Sequence, residues 1–134
     1  MEAMNIVGFW TGQYAYDAIT GLVVEFHAEL GQLGDTLSGQ STEKNTFSTG
    51  AGQILIADLF GTVSRSSIDF TKQYTNAAPG QPKILYQGKI SKDGSLITGQ
   101  WTMRDQSSGS FKMRRAIEQK PKAKTLTSYK IERV

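Results

Sequence analysis

Glycine recurs in this chain one to three positions after an aliphatic residue, within short stretches that alternate apolar and polar residues. Leu37-Ser38-Gly39-Gln40, Leu59-Phe60-Gly61-Thr62, Leu85-Tyr86-Gln87-Gly88 and Ile97-Thr98-Gly99-Gln100 all carry it, and Gly8-Phe9-Trp10-Thr11-Gly12-Gln13-Tyr14 foreshadows it. Alternation with period two is the mark of a strand with one buried face. An interior glycine removes the side chain where a sheet bends or where another part of the chain comes close. A sheet that bends in strand after strand tends to close on itself, so the pattern predicts a curved antiparallel barrel with an inside.

The same alternation gives eight strands, five of which hold such a glycine. They fall at residues 7–17, 22–30, 36–42, 53–65, 67–75, 83–91, 96–104 and 110–115. Gly34-Asp35 and Lys92-Asp93-Gly94-Ser95 are hairpin turns, and Gln106-Ser107-Ser108-Gly109 is a further turn. Residues 43–52, polar and glycine-rich around a lone Phe47, read as the longest loop. No window has the period of an amphipathic helix. The fold expected is all-β: an eight-stranded antiparallel up-and-down barrel over residues 1–115, followed by a basic tail or extra terminal element at 116–134.

At 134 residues the chain is one domain, able to bury roughly two thirds of its unfolded surface. Cysteine is absent, which excludes disulfides and thiolate metal sites and favours a cytoplasmic protein over a small secreted one. The start, Met1-Glu2-Ala3-Met4-Asn5, has neither the basic nor the apolar region of a signal peptide. The apolar runs are too short to span a bilayer as helices. The net charge of +3 is uneven: residues 112–134 carry eight basic and two acidic side chains, and the remainder carries seven basic and ten acidic. The tail has no aromatic interleaving beyond Tyr129, so it reads as solvated and not as a nucleic-acid arm.

Nine of the thirteen aromatics share the inward phase: Trp10, Tyr14, Tyr16, Phe26, Phe70, Tyr74, Tyr86, Trp101 and Phe111. Four are tyrosines, whose hydroxyls need partners when buried. Aromatic walls with a few polar tips are the composition of a ligand pocket. They are also what a wide barrel uses simply to fill itself.

Gly8-Phe9-Trp10 at the start of the first strand and Arg115 at the end of the last resemble the calycin superfamily of lipocalins, fatty-acid-binding proteins and avidins. The resemblance to lipocalins implies an arginine lying over the tryptophan of the Gly-x-Trp motif, and Arg115, in phase with Phe111 and Met113, fits that place better than Arg114. The chain departs from the superfamily in lacking the lipocalin Thr-Asp turn motif, the helical pair of fatty-acid-binding proteins, their terminal Arg-x-Tyr carboxylate site and a mappable set of avidin ligand contacts.

Lys72 takes the inward phase of Ile68, Phe70 and Tyr74. A buried ammonium needs a counter-ion or a route to water, so Lys72 is expected at a mouth of the barrel, either snorkelling outward or meeting a ligand anion near Tyr74 and Tyr86. His27, the one histidine, sits between Glu25 and Glu29 on the polar face, the place of solvated residues and not of a metal site. No phosphate-binding loop or nucleophile elbow is found, and no cofactor is indicated. The reading is therefore a small apolar or aromatic molecule bound inside the barrel by Tyr14, Tyr16, Phe26, Phe70, Lys72, Tyr74, Tyr86 and Trp101. An isomerase- or cyclase-type enzyme using the same cavity, or a filled barrel serving assembly, are the alternatives. A homo-oligomer is left open.

Overall fold

The computed structural model describes residues 3–45, 53–77 and 82–116. Eight strands run in order: β1 (Gly8–Tyr16), β2 (Val23–Leu33), β3 (Thr36–Lys44), β4 (Ile54–Ser64), β5 (Ser67–Tyr74), β6 (Ile84–Ile90), β7 (Leu96–Met103) and β8 (Ser108–Arg115). Each pairs antiparallel with the next, and β8 pairs with β1 to close the barrel. Among the described residues there is no helix, hence none long and apolar enough to cross a membrane. The basic tail expected at 116–134 lies, from residue 117 onward, outside the described residues.

The alternation read from the sequence sets which face is dry. Trp10, Phe26, Phe70, Tyr86 and Trp101 are buried, while Glu25, His27, Glu29, Gln87 and Lys89 are exposed. Three boundaries differ from expectation by two residues or more, the others by at most one. β2 continues three residues beyond Leu30, up to the Gly34-Asp35 turn. β8 starts at Ser108, two residues early, because Ser108 and Gly109 already pair with β7, so the turn falls on residues 104–107. The third difference matters most: β3 runs through Glu43 and Lys44, which pair with Leu55 and Ile54 of β4. Glu43, assigned to a loop on its polarity, is an inward-facing strand residue.

The two ends of the barrel are built differently. At the end where β1 begins, the segment at residues 3–7 folds across the opening. Ile6 is fully buried there, and its carbonyl accepts the Trp10 indole N–H at 3.0 Å. The Gln32 side chain binds the same segment twice, accepting from the Ile6 amide and donating to the Met4 carbonyl. Arg115 locks this end. Its guanidinium carbon lies 4.6 Å from the centre of the Trp10 ring, and its N–H groups donate to the carbonyls of Asn5, Val7 and Gly94. Gly8 has φ +137°, and a Cβ there would meet Arg115 Nη1 at 3.3 Å, so glycine suits both the backbone and the guanidinium. Gly94 is presented by a hairpin organised around Asp93, which accepts from Ser91 and Ser95. Those hydrogen bonds hold its carboxyl down at about 2.

Replacing Arg115 by methionine removes the cation–π contact and leaves three carbonyls short of a donor. It should destabilise the barrel by about 2 kcal/mol in urea denaturation. Arg115→Lys should recover little of this, because a point charge cannot make the forked set of bonds. An unchanged denaturation midpoint for Arg115→Met would show that the lid is not structural.

Candidate functional site

The opposite end is where β3 and β5 finish, and it contains the polar centre of the barrel. Lys72 on β5 points inward as its phase requires, but it neither snorkels nor waits for an outside anion. Its side chain is 2 % exposed and its ammonium contacts Glu43 Oε1 at 2.5 Å. Glu43 is itself 5 % exposed. Its other oxygen accepts from the Tyr14 hydroxyl at 2.6 Å and from the Tyr74 hydroxyl at 2.9 Å. One carboxylate thus gathers an ammonium and two phenols from β1 and β5. The expectation that Lys72 reaches water or a ligand carboxylate is corrected: its counter-ion is in the chain.

Aromatic faces enclose the ammonium. Lys72 Nζ lies 4.7 Å from the ring centre of Tyr14, 5.0 Å from Tyr74, 5.3 Å from Phe26 and 5.8 Å from Tyr86. Each ring presents its negative face to the cation. The Phe26 ring reaches this position because Gly12, its pair on β1, has no side chain; a methyl at Gly12 would overlap the ring.

The remaining predicted residues divide into two groups. Trp101 and Tyr16 sit beside the cage: their rings meet edge-on at 5.0 Å, Tyr14 lies 6.1 Å from each, and the Trp101 indole N–H donates to the Ala15 carbonyl. Tyr16 and Tyr74 are only half-buried, at the rim. Phe70 is not part of the polar centre. It stacks on Tyr86 at 4.9 Å, with Phe111 edge-on to both, and so packs the middle of the barrel.

Two contributors were not recognised in the sequence. Glu43 is the first. The second is Ser41, two residues earlier on β3, which also faces inward and is 2 % exposed. Its hydroxyl is the buried polar atom without a hydrogen-bond partner among the described residues. Its cross-strand neighbours are Ala28 and Ala57, so the wall on either side of it is made of small side chains. The phase of Leu37, Gly39, Ser41 and Glu43 is continuous, and that was the signal available.

The electrostatics follow from burial. Desolvation pushes the Lys72 ammonium below its ordinary 10.5, against the opposing pull of Glu43. It raises Tyr14, Tyr74 and Tyr86 well above 10.0, with the Glu43 carboxylate adding to the effect. The three phenols are therefore neutral in the folded protein, and Tyr14 and Tyr74 donate to Glu43.

No family model matches this chain, and no curated protein matches it. Solved structures do. A redesigned β-barrel, b11L5F_LGL, superposes with a TM-score of 0.69 at 16 % identity, covering 84 % of this chain and 92 % of its own. A second redesigned barrel, mFAP1, determined bound to DFHBI, gives 0.64 at 15 %, covering 82 % and 94 %. Rv2717c from M. tuberculosis gives 0.50 at 12 %, covering 84 % and 93 %. At these identities the likeness establishes the eight-stranded barrel fold.

Removing one member of the buried pair strands the other charge. Lys72→Met or Glu43→Leu alone should cost about 3–5 kcal/mol. The double replacement should recover most of that loss, and strictly additive costs in chemical denaturation would show that the two charges are not coupled.

The raised tyrosines also set the alkaline limit. Above 10.0 the unfolded phenols release protons that the folded ones keep, so the folded state binds more protons and stability falls as pH rises. Lys72, with its lowered value, acts in the opposite sense up to 10.5, so the fall is clearest beyond that. Tyrosinate absorbance should rise together with loss of the barrel's circular dichroism. Full ionisation within an intact barrel would contradict the burial of these hydroxyls.

Proposed function

We propose that this protein is a calycin-type barrel that binds a small, largely apolar aromatic molecule through the end of the barrel bearing Tyr16 and Tyr74. The observation that carries the reading is the Lys72–Glu43 pair with its two phenols inside an aromatic wall. Two buried charges are expensive to desolvate, and apolar residues of similar volume generally serve stability as well or better. Closure of an eight-stranded barrel has no need of them. A set of fixed donors and acceptors among aromatic faces is what orients a ligand in an otherwise apolar site.

Because Glu43 balances Lys72, the centre is formally neutral. That favours an uncharged or dipolar ligand over the fatty or aromatic acid that an unpaired lysine would suggest. The Gly8–Trp10–Arg115 arrangement supports the calycin affiliation, since the arginine covers the tryptophan ring as in the lipocalin pattern. The redesigned barrel that binds DFHBI has the same fold and makes that dye a convenient probe.

The test is a titration with DFHBI, monitored by dye fluorescence, together with native mass spectrometry of freshly purified protein. Saturable one-to-one binding is expected, weakened about 10- to 150-fold in the folded Lys72→Met/Glu43→Leu double variant, as for loss of a hydrogen bond to a charged group. Absence both of dye binding and of any fixed added mass would favour a barrel filled by its own side chains.

A further inference from the structure

We propose that Lys72 is a covalent capture site, forming an imine with an aromatic or conjugated aldehyde bound inside the barrel. The inference rests on the ligand-binding reading above and narrows its ligand class. Among the described lysines, Lys72 alone is buried; Lys44, Lys83, Lys89, Lys92 and Lys112 are all exposed. An amine becomes a nucleophile only as its neutral form, and the surroundings of Lys72 supply a way to reach it. Glu43 Oε1 is in contact with Nζ and can take the proton, while Tyr14 and Tyr74 hold the second carboxylate oxygen and so fix the first on the amine. Desolvation acts in the same direction, since it disfavours the ammonium.

The step balances within these groups. Lys72 gives a proton to Glu43, and its nitrogen lone pair forms a bond to the aldehyde carbon. The carbonyl oxygen takes one proton from the nitrogen to become a hydroxyl and a second from Glu43 to leave as water, while the nitrogen lone pair forms the carbon–nitrogen double bond. One aldehyde and one ammonium yield one protonated imine and one water, with Glu43 returned to the carboxylate. No oxidant or reductant takes part.

The product suits the site as well as the starting lysine does. A protonated imine keeps one positive charge on the same nitrogen, so the contact with Glu43 and the faces of Tyr14, Phe26, Tyr74 and Tyr86 remain favourable. Burial also withholds the water that hydrolyses imines on a protein surface. A planar conjugated substituent matches the aromatic walls. The unpartnered Ser41 hydroxyl, on the same face of β3 as Glu43, offers a hydrogen bond to an oxygen on such a ligand.

Cinnamaldehyde at a concentration equal to the protein, trapped with sodium cyanoborohydride, tests this directly. The expected result is one adduct, heavier than the protein by the aldehyde less its oxygen, mapped by proteolysis to the peptide containing Lys72. Labelling should vanish in Lys72→Arg and slow at least about a hundredfold in Glu43→Gln, as for loss of a proton-transfer group. The wild-type map decides the matter even if a variant fails to fold. Cinnamyl alcohol, which cannot form an imine, is titrated in parallel by tryptophan fluorescence. If the alcohol binds and the adducts are scattered over exposed lysines, the imine is wrong and the ligand-binding reading stands. If neither the alcohol binds nor Lys72 is labelled, both fall.

Discussion

Lys72 carries a positive charge into the aromatic interior at one end of the barrel, and everything around it is arranged so that this charge is tolerable. A carboxylate at contact distance is necessary but not enough, because its own remaining oxygen would then be stranded. Tyr14 and Tyr74 supply the missing donors. In a medium of low polarity a network of this kind is valuable only when all its members are satisfied, and costly when any one is removed. The geometry depends in turn on strand length. If β3 ended at Thr42, Glu43 would not be inside; if β5 ended before Lys72, neither the ammonium nor Tyr74 would face it.

The rest of the molecule is asymmetric about this centre. At the far end Ile6, Trp10 and Arg115 close the barrel with a chain segment held by Gln32 and with an indole and a guanidinium that donate to backbone carbonyls. The middle is filled by the Phe70–Tyr86 stack and Phe111. Half-buried tyrosines occur at the end of the ion pair. A sealed base, a packed waist and a polar, aromatic end divide the barrel along its axis, with the buried charges confined to one end.

Much of this was legible in the sequence, and the reason is period two. Because one face of every strand is dry, the phase of a single confident residue, such as Phe26 or Trp101, fixes the phase of its neighbours. Lys72 could be placed inside on that ground alone. Glu43 was missed because a run of polar residues ahead of glycines reads as a loop, and local polarity was given more weight than the continuing phase from Leu37. An inward lysine without an inward acid is physically incomplete, and an acid continuing the inward phase of β3 is what completes it. Ile6 left no comparable signal: a lone isoleucine ahead of a strand has no partner to be in phase with. The partnership of Trp10 with Arg115 was readable only through the resemblance to lipocalins.

Nuclear magnetic resonance of the lysine side-chain nitrogens measures the central claim most directly. With the charge buried and paired, Lys72 should give an ammonium signal at neutral pH whose protons exchange slowly with water and show contacts to the rings of Tyr14, Tyr74 and Phe26. That signal should disappear in Lys72→Arg. If every lysine ammonium in the folded protein exchanges rapidly with solvent and none contacts an aromatic ring, Lys72 reaches water, and the buried ion pair on which this account depends does not exist.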